Sequence, residues 1–365
     1  MKVLTVFGTR PEIIRLSVIT RLLARHCEQI LVHTGQNYDP NLSDLFLKEL
    51  EVGPINHHLG IQTSRFGAQA GQILARMDDL MDEIKPDRLL ILGDTNSGLS
   101  AIVAARKGIP VFHLEAGNRC FDNRVPEEVN RRIIDHSSDI LLPYTNRSAE
   151  NLVREGIRRE RIFVVGNPIL EVLQTYGPQI AKSNILEKLN LQAREYFLVT
   201  MHRAENVDPP ERLQALVKGL SELGTVYGKP VIVSVHPRTA DRIRKLGANL
   251  DTSKLRLEQP FGLFDFVHLE KNALGIVSDS GTVQEEACIF GIPNVTIRDV
   301  TERPETLECG SNFLSGSIST RLKTGMELSL ASAGRWQAPA EYRCENTSVV
   351  VAKIVLGYTH ALSIP

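Results

Sequence analysis

Acidic residues recur in this sequence where a parallel sheet would present its ligand-facing loops. Asp94, in Gly93-Asp94-Thr95-Asn96, and Glu115, in His113-Leu114-Glu115-Ala116-Gly117-Asn118-Arg119, each follow an apolar strand pattern. Glu127 and Glu128 fall in the first turn of a helix opened by Pro126. Converging carboxylates are the usual equipment of general acid and base chemistry, because one can release a proton while another accepts one. Taken singly, each has a plainer reading: Asp94 as a helix N-cap, Glu115 as a partner for Arg119, the glutamates as favourable charge at a helix start. Their recurrence at successive strand ends weakens the joint plain reading.

A second set of residues suits an anion. Asp279-Ser280-Gly281-Thr282-Val283-Gln284-Glu285-Glu286 follows the buried-strand pattern Leu274–Val277 and opens a helical one. Unpaired N–H groups of a first helical turn, at the positive end of the helix dipole, would face a phosphate there. The acidic residues one turn further in could hold ribose hydroxyls. An isolated Ser-Gly would more simply be a cap. In Gly8-Thr9-Arg10-Pro11-Glu12, Pro11 suits a first helical position and the Arg10 guanidinium matches a diphosphate, although a surface pair with Glu12 explains the motif equally well. His202 and His236 occupy strand-end loops, where histidines more often cap or hydrogen-bond; His202-Arg203 could also stabilise a departing anion. Arg298–Glu305 repeats the Arg-Pro-Glu arrangement around Arg303, and its charges are expected to contact substrate. Phe261, in the aromatic loop Pro260–Phe266, could cover a planar base, phenylalanines being more often core.

Such positions presuppose a doubly wound α/β architecture. Short apolar strand patterns (Val3–Phe7, Ile30–His33, Leu89–Leu92, Val111–Leu114, Ile140–Leu142) alternate with amphipathic helical ones. The rhythm restarts with Phe197–Met201, Val231–Val235, Leu255–Leu257, Leu274–Val277 and Asn294–Ile297, which predicts two Rossmann-like domains with a ligand cleft between them. A strand over Ile162–Val165 ends in Gly166-Asn167-Pro168, so the boundaries are set at 1–167, 168–345 and a closing helix and tail at 346–365, packing back across the hinge. With 42 basic and 43 acidic side chains in 365 residues, no global field draws the chain to nucleic acid or membrane. The apolar run at Met1–Phe7 is too short for a signal or spanning segment, which makes a cytoplasmic location the default. The 5 cysteines are scattered without metal-ligand spacing, so they are expected to be reduced and structural, with no metal site.

In order along the chain stand GTRPE (Gly8–Glu12), TGQ (Thr34–Gln36), GDT (Gly93–Thr95), HLEAGxR (His113–Arg119), PEExNR (Pro126–Arg131), HRxEN (His202–Asn206), HP (His236–Pro237), DSGxxQEE (Asp279–Glu286) and TERPE (Thr301–Glu305). On these motifs, nearly the whole sequence resembles the non-hydrolysing UDP-N-acetylglucosamine 2-epimerases. The resemblance implies the GT-B architecture and interconversion of a UDP-N-acetylhexosamine with its C2 epimer, UDP-GlcNAc with UDP-ManNAc in the common case. It further implies elimination of UDP through a 2-acetamidoglucal and re-addition, without redox cofactor or metal. Asp94, Glu115 and Glu127 match the acid/base carboxylates, with Asp94 and Glu127 the preferred pair for direct proton transfer. Arg10, His202, Ser280 and Gly281 would hold the diphosphate and Glu286 the ribose, with Arg15, His236, Phe261 and Arg303 as further substrate contacts. A homodimer serving polysaccharide biosynthesis is also implied. Arg15 stands where the family pattern has lysine, and Thr282 where it has a second glycine. Asn37-Tyr38-Asp39 replaces the histidine- and arginine-containing stretch of effector-requiring members, and Cys120–Arg124 resembles members acting on modified sugars, UDP-2,3-diacetamido-glucuronate or UDP-N-acetyl-6-deoxyhexosamines. A GT-B glycosyltransferase, a hydrolysing relative and a nucleotide-sugar sensor are the other readings.

Overall fold

The computed structural model describes residues 1–36, 40–61, 63, 65–246 and 253–359; for 40–44, 237, 238 and 246 only the backbone is described. The departure noted at Asn37-Tyr38-Asp39 therefore lies outside the described residues. The strands are β1 (Lys2–Phe7), β2 (Glu28–His33), β3 (His57–His58), β4 (Arg88–Leu92), β5 (Val111–Leu114) and β6 (Ile140–Leu142), then β7 (Phe197–Thr200), β8 (Val231–Ser234), β9 (Leu255–Glu258), β10 (Gly275–Ser278), β11 (Asn294–Thr296) and β12 (Asn312–Leu314). They form two parallel sheets, ordered β3-β2-β1-β4-β5-β6 and β12-β11-β10-β7-β8-β9. Counted from its own first strand, each sheet has the same order, with the progression reversing between β1 and β4 and between β7 and β10. Such reversal points leave room for a ligand at the strands' C-terminal edge.

The near-continuous apolar strands follow from burial on both faces. In β7, Phe197 and Val199 enter one core cluster with Val233 and Val295, while Leu198 enters another with Ile232, Ile276 and Val283. Alternation along the strand thus serves two cores. In the other sheet Leu4, Val6, Val32, Leu89 and Ile91 share a cluster with Ile73, Met77 and Met81 of the helix Phe66–Ile84. Fully burying each such side chain contributes about 1.5–3 kcal/mol.

The chain divides into two compact units, Met1–Thr175 with Glu341–Pro365, and Tyr176–Ala340. The division expected after residue 167 shifts because the helix Ile169–Thr175 packs on the helix Arg10–Leu23 of the first unit. The closing helix Thr347–Gly357 packs on that same helix, Thr347 Oγ1 donates to Val165 O (3.3 Å), and Ser348 N donates to Glu171 Oε2 (2.7 Å). Gly166 has φ +83°, and a Cβ there would lie 2.4 Å from Cys344 Sγ, so the chain can fold back only over a glycine. The segment expected as a strand at 162–165 makes one isolated bridge, Leu141 to Ile162, and is not a strand. Short β3 and β12 were not foreseen; His57-His58 and Asn312-Phe313-Leu314 are sheet edges with little apolar signal. No helix among the described residues is long and apolar enough to cross a membrane.

Candidate active site

In the first unit the loop after β1 turns Glu12 inward. Its carboxylate accepts from Gly8 N (2.8 Å), Thr9 N (2.7 Å), Thr9 Oγ1 (2.9 Å) and, from the loop after β4, Thr95 Oγ1 (2.7 Å). Burial pushes the Glu12 carboxyl up to about 7, against the pull of these donors. Glu12 is therefore a capping-box and loop-tying residue and not the surface partner of Arg10, whose guanidinium lies 5.7 Å from the Phe46 ring centroid.

Asp94 and Glu115 end adjacent strands, β4 and β5. Asp94 is not a cap: Thr95 caps the following turn by accepting from Ser97 N. Arg131 grips Asp94 Oδ2 with Nε (2.8 Å) and Nη2 (2.7 Å) while its Nη1 reaches Glu128 Oε2 (2.7 Å). Glu115 pairs with Arg15, not with Arg119, and accepts from Asn118 Nδ2 (3.1 Å), which Ser148 Oγ steadies at Asn118 Oδ1 (2.9 Å). Glu115 has φ +71°, a strained conformation for a side chain of this size that costs about 1–3 kcal/mol and is held by these anchors. Arg119 instead joins His113 at Asp135: Arg119 Nη2 is 2.7 Å from Oδ2 and His113 Nδ1 2.8 Å from Oδ1. Burial would raise the Asp135 pKa, but His113 and Arg119 outweigh it and hold the carboxyl low.

The paired glutamates at the start of the helix Pro126–His136 divide. Glu127 is half-buried, whereas Glu128 is buried and accepts from Cys120 N and Phe121 N (both 3.0 Å). Burial opposes ionisation of Glu128, but the Cys120 N–H and the Arg131 guanidinium hold its pKa below the ordinary value. Glu128 thereby fixes the Cys120–Arg124 loop, leaving Phe121 75% exposed.

The second unit gathers its loops around Asp279, after β10. Asp279 Oδ2 accepts from His202 N (3.0 Å), Arg203 N (2.9 Å) and Asn206 Nδ2 (3.0 Å), and Oδ1 lies 2.9 Å from His202 Nδ1. Burial would raise its pKa, yet His202 and the N–H donors win and hold it far below the carboxylate range. With Nδ1 committed to Asp279, His202 has Nε2 for a ligand on a side chain that is 57% exposed. Ser280 is the N-cap of the helix Gly281–Phe290, but its side chain makes no capping bond. A Cβ on Gly281 would meet Glu302 Oε1 at 2.9 Å. Arg303 is buried and paired through Nε with Glu285, and Arg298 Nη1 donates to Glu302 Oε1 (3.1 Å). His236 is exposed, and its carbonyl accepts from Thr239 N (2.8 Å) and Ala240 N (3.0 Å) at the start of the helix Pro237–Leu246. Phe261 is half-buried against the cluster of Tyr196, Leu198 and Ile276. Among the described residues, no group of three or more His, Cys, Asp or Glu is placed to hold a metal ion.

Glu12, Glu128, Arg131 and Asp279 organise these loops although the sequence did not mark them out as organisers. PEExNR contains the Glu128–Arg131 spacing of one helical turn, a signal for their pair. The partners of Asp279 lie more than 70 positions away and have no local signal.

The sequence profile described as UDP-N-acetylglucosamine 2-epimerase matches residues 21–356. The chain belongs to the UDP-N-acetylglucosamine 2-epimerase family. Among relatives of this epimerase family member is the UDP-N-acetylglucosamine 2-epimerase of Methanocaldococcus jannaschii, 41% identical over 93% of this chain and 95% of that one. The UDP-2,3-diacetamido-2,3-dideoxy-D-glucuronate 2-epimerase of Pseudomonas aeruginosa is 36% identical over 90% and 92%. A crystal structure of the Methanocaldococcus jannaschii UDP-GlcNAc 2-epimerase with UDP-GlcNAc and UDP aligns with TM-score 0.91 at 39% identity, covering 98% of this chain and 99% of that one. The epimerase fold here is the GT-B type, built from two Rossmann-like domains.

Proposed function

We propose that the protein is an isomerase that interconverts UDP-GlcNAc and UDP-ManNAc. The observation that carries this reading is the array of anchored acids at the ends of β4 and β5 and in the adjoining helix, in a chain whose second unit ends its strands in His202 and the Ser280-Gly281 helix start. C2 of the sugar is not beside a carbonyl, so its hydrogen is not acidic enough for direct exchange. A carboxylate removes the C2 proton while the C1–O bond breaks; the C–H electrons form C1=C2 and the C–O electrons leave on the diphosphate. Protonation of the bound glycal at C2 on the opposite face, with return of the diphosphate oxygen to C1, gives the epimer. Asp94 and Glu127 take and return the proton, and Glu115, held by Arg15, completes the acidic set. His202, Arg10 and the N–H groups after Ser280 stabilise charge on the leaving diphosphate, with Glu286 on the ribose and Arg303, His236 and Phe261 as further contacts. No cofactor takes part. The active form is a cytoplasmic homodimer that supplies polysaccharide biosynthesis.

A second reading keeps the chemistry and changes the sugar to a diacetamido-uronate or a 6-deoxyhexosamine. The Pseudomonas relative and the Cys120–Arg124 loop, pinned by Glu128, favour it. Proton NMR with UDP-GlcNAc in heavy water tests both: UDP-ManNAc with deuterium at C2 supports the parent substrate. Exchange only with a modified sugar supports the second reading, and exchange with none rejects the epimerase chemistry.

A further inference from the structure

Glu270, in the helix Leu263–Asn272, faces Glu286 of the adjacent helix Gly281–Phe290. The two side chains are 0% and 2% exposed. Neither carboxyl oxygen of Glu270 meets a hydrogen-bond donor among the described residues. Ionised carboxylates only accept, so two of them in contact repel and form no hydrogen bond. One proton between them removes the repulsion and creates a charge-assisted O–H···O⁻ bond. Burial, reinforced by the Glu286 charge, raises the Glu270 pKa well above the usual range, which makes Glu270 the proton's holder.

We propose that Glu270, as a neutral carboxylic acid, is a positioning residue that aims the Glu286 carboxylate at the ribose hydroxyls of bound UDP. This rests on the reading of Glu286 as the ribose contact.

The other charged and titratable groups around Glu270 are turned to partners of their own or to solvent. On the helix Gly281–Phe290, Glu285 is tied to Arg303. Tyr196 donates its hydroxyl to Leu269 O (2.6 Å), and its pKa is pushed up chiefly by burial, with Arg194 opposing and Glu270 adding. Arg194 Nη1 donates to Ala273 O (3.1 Å). Of the helices packed on Leu263–Asn272, Gly177–Ala181 carries no ionisable side chain, and on Ile185–Lys188 both Glu187 and Lys188 are exposed. His268 is bonded to Ile180 O (3.0 Å) and Lys271 lies over Phe290. As pH rises through the raised pKa, Glu270 loses its proton, the donor disappears and a second negative charge stands beside Glu286. UDP affinity then falls.

Calorimetric titration of the full-length protein with UDP, from about pH 6 to about pH 8.5, tests the proposal; the ligand's own titration is common to all variants. Glu270→Met removes the donor and is expected to weaken UDP binding roughly tenfold at neutral pH. Glu270→Gln keeps an N–H donor at every pH and is expected to recover most of that loss and to abolish the alkaline fall seen in the parent. Glu286→Ala is the reference. If it weakens binding while Glu270→Met binds as the parent does, or if Glu270→Gln keeps the parental alkaline fall, the positioning role is overturned. If Glu286→Ala binds UDP like the parent, the ribose reading of Glu286 falls first and the inference with it. Should Glu270→Met fail to fold, the pH profiles of the parent and Glu270→Gln decide alone.

Discussion

The two units share one strand order but point their ion pairs in opposite directions. In the first, acids end the strands and the cations stand on helices: Asp94 after β4 is held by Arg131, and Glu115 after β5 by Arg15. In the second, basic side chains occupy the loops after β7 and β11, and the acids that hold them lie behind. His202 leans on Asp279, and Arg303 on Glu285 within the helix Gly281–Phe290. The topology fixes where a ligand can approach; which member of each pair is placed forward decides whether that edge handles protons or anions.

The sharpest way to break this contrast is to neutralise the forward acids. Asp94→Asn and Glu127→Gln are each expected to slow deuterium exchange at C2 by roughly 10²–10⁴-fold, with UDP affinity retained. Exchange at the parental rate in either variant would remove that acid from proton transfer. In the second unit Asp279→Asn replaces an acceptor of backbone N–H groups and of His202, and is expected to lower stability by about 3 kcal/mol and to weaken UDP binding. Denaturant unfolding and UDP titration separate the two effects, and an unaltered midpoint would deny Asp279 its organising role.

The pH dependence should differ between the units as well. Burial lifts the folded pKa of Glu12 to about 7, above its unfolded value of 4.5, so its contribution is complete below 4.5 and is lost as pH rises through 7. Relative to Glu12→Gln, the parent is expected to lose about 3 kcal/mol of stability over that rise, measured as the difference between their unfolding curves. Asp279 has the opposite sign: its pKa is lowered, so its contribution is present above the unfolded value of 3.8 and fades as pH falls below it. The smallest expected effect is at Arg15→Lys, which keeps the charge opposite Glu115 but loses the planar fork, weakening stability by about 1 kcal/mol. A change above about 3 kcal/mol would mean that Arg15 holds the strained Glu115 backbone by itself.

Much of this was legible in the sequence. Runs such as Leu89–Leu92 and Val231–Val235 can only be strands buried on both faces, and the residues that follow them must then lie on one sheet edge. What stayed hidden was partner choice. Arg119 is four positions from Glu115, yet Glu115 takes Arg15, 100 positions away, because the turn at Glu115 directs the side chains apart. Cys288 and Cys309, read as scattered, bring their sulfurs within 3.6 Å. Local spacing reports neighbours within an element, and these contacts arise only when separate elements pack.

The return of Glu341–Pro365 to the first unit also carries a consequence for synthesis. The second unit is an insertion within the first, so the ribosome completes residues 176–340 before it releases the helix that packs on Arg10–Leu23. At roughly 5–20 residues per second this leaves the first sheet without its last helix for on the order of ten seconds. During that interval the side of Arg10–Leu23 that the closing helix covers has no partner from its own unit, whereas every residue of the second unit has already been made.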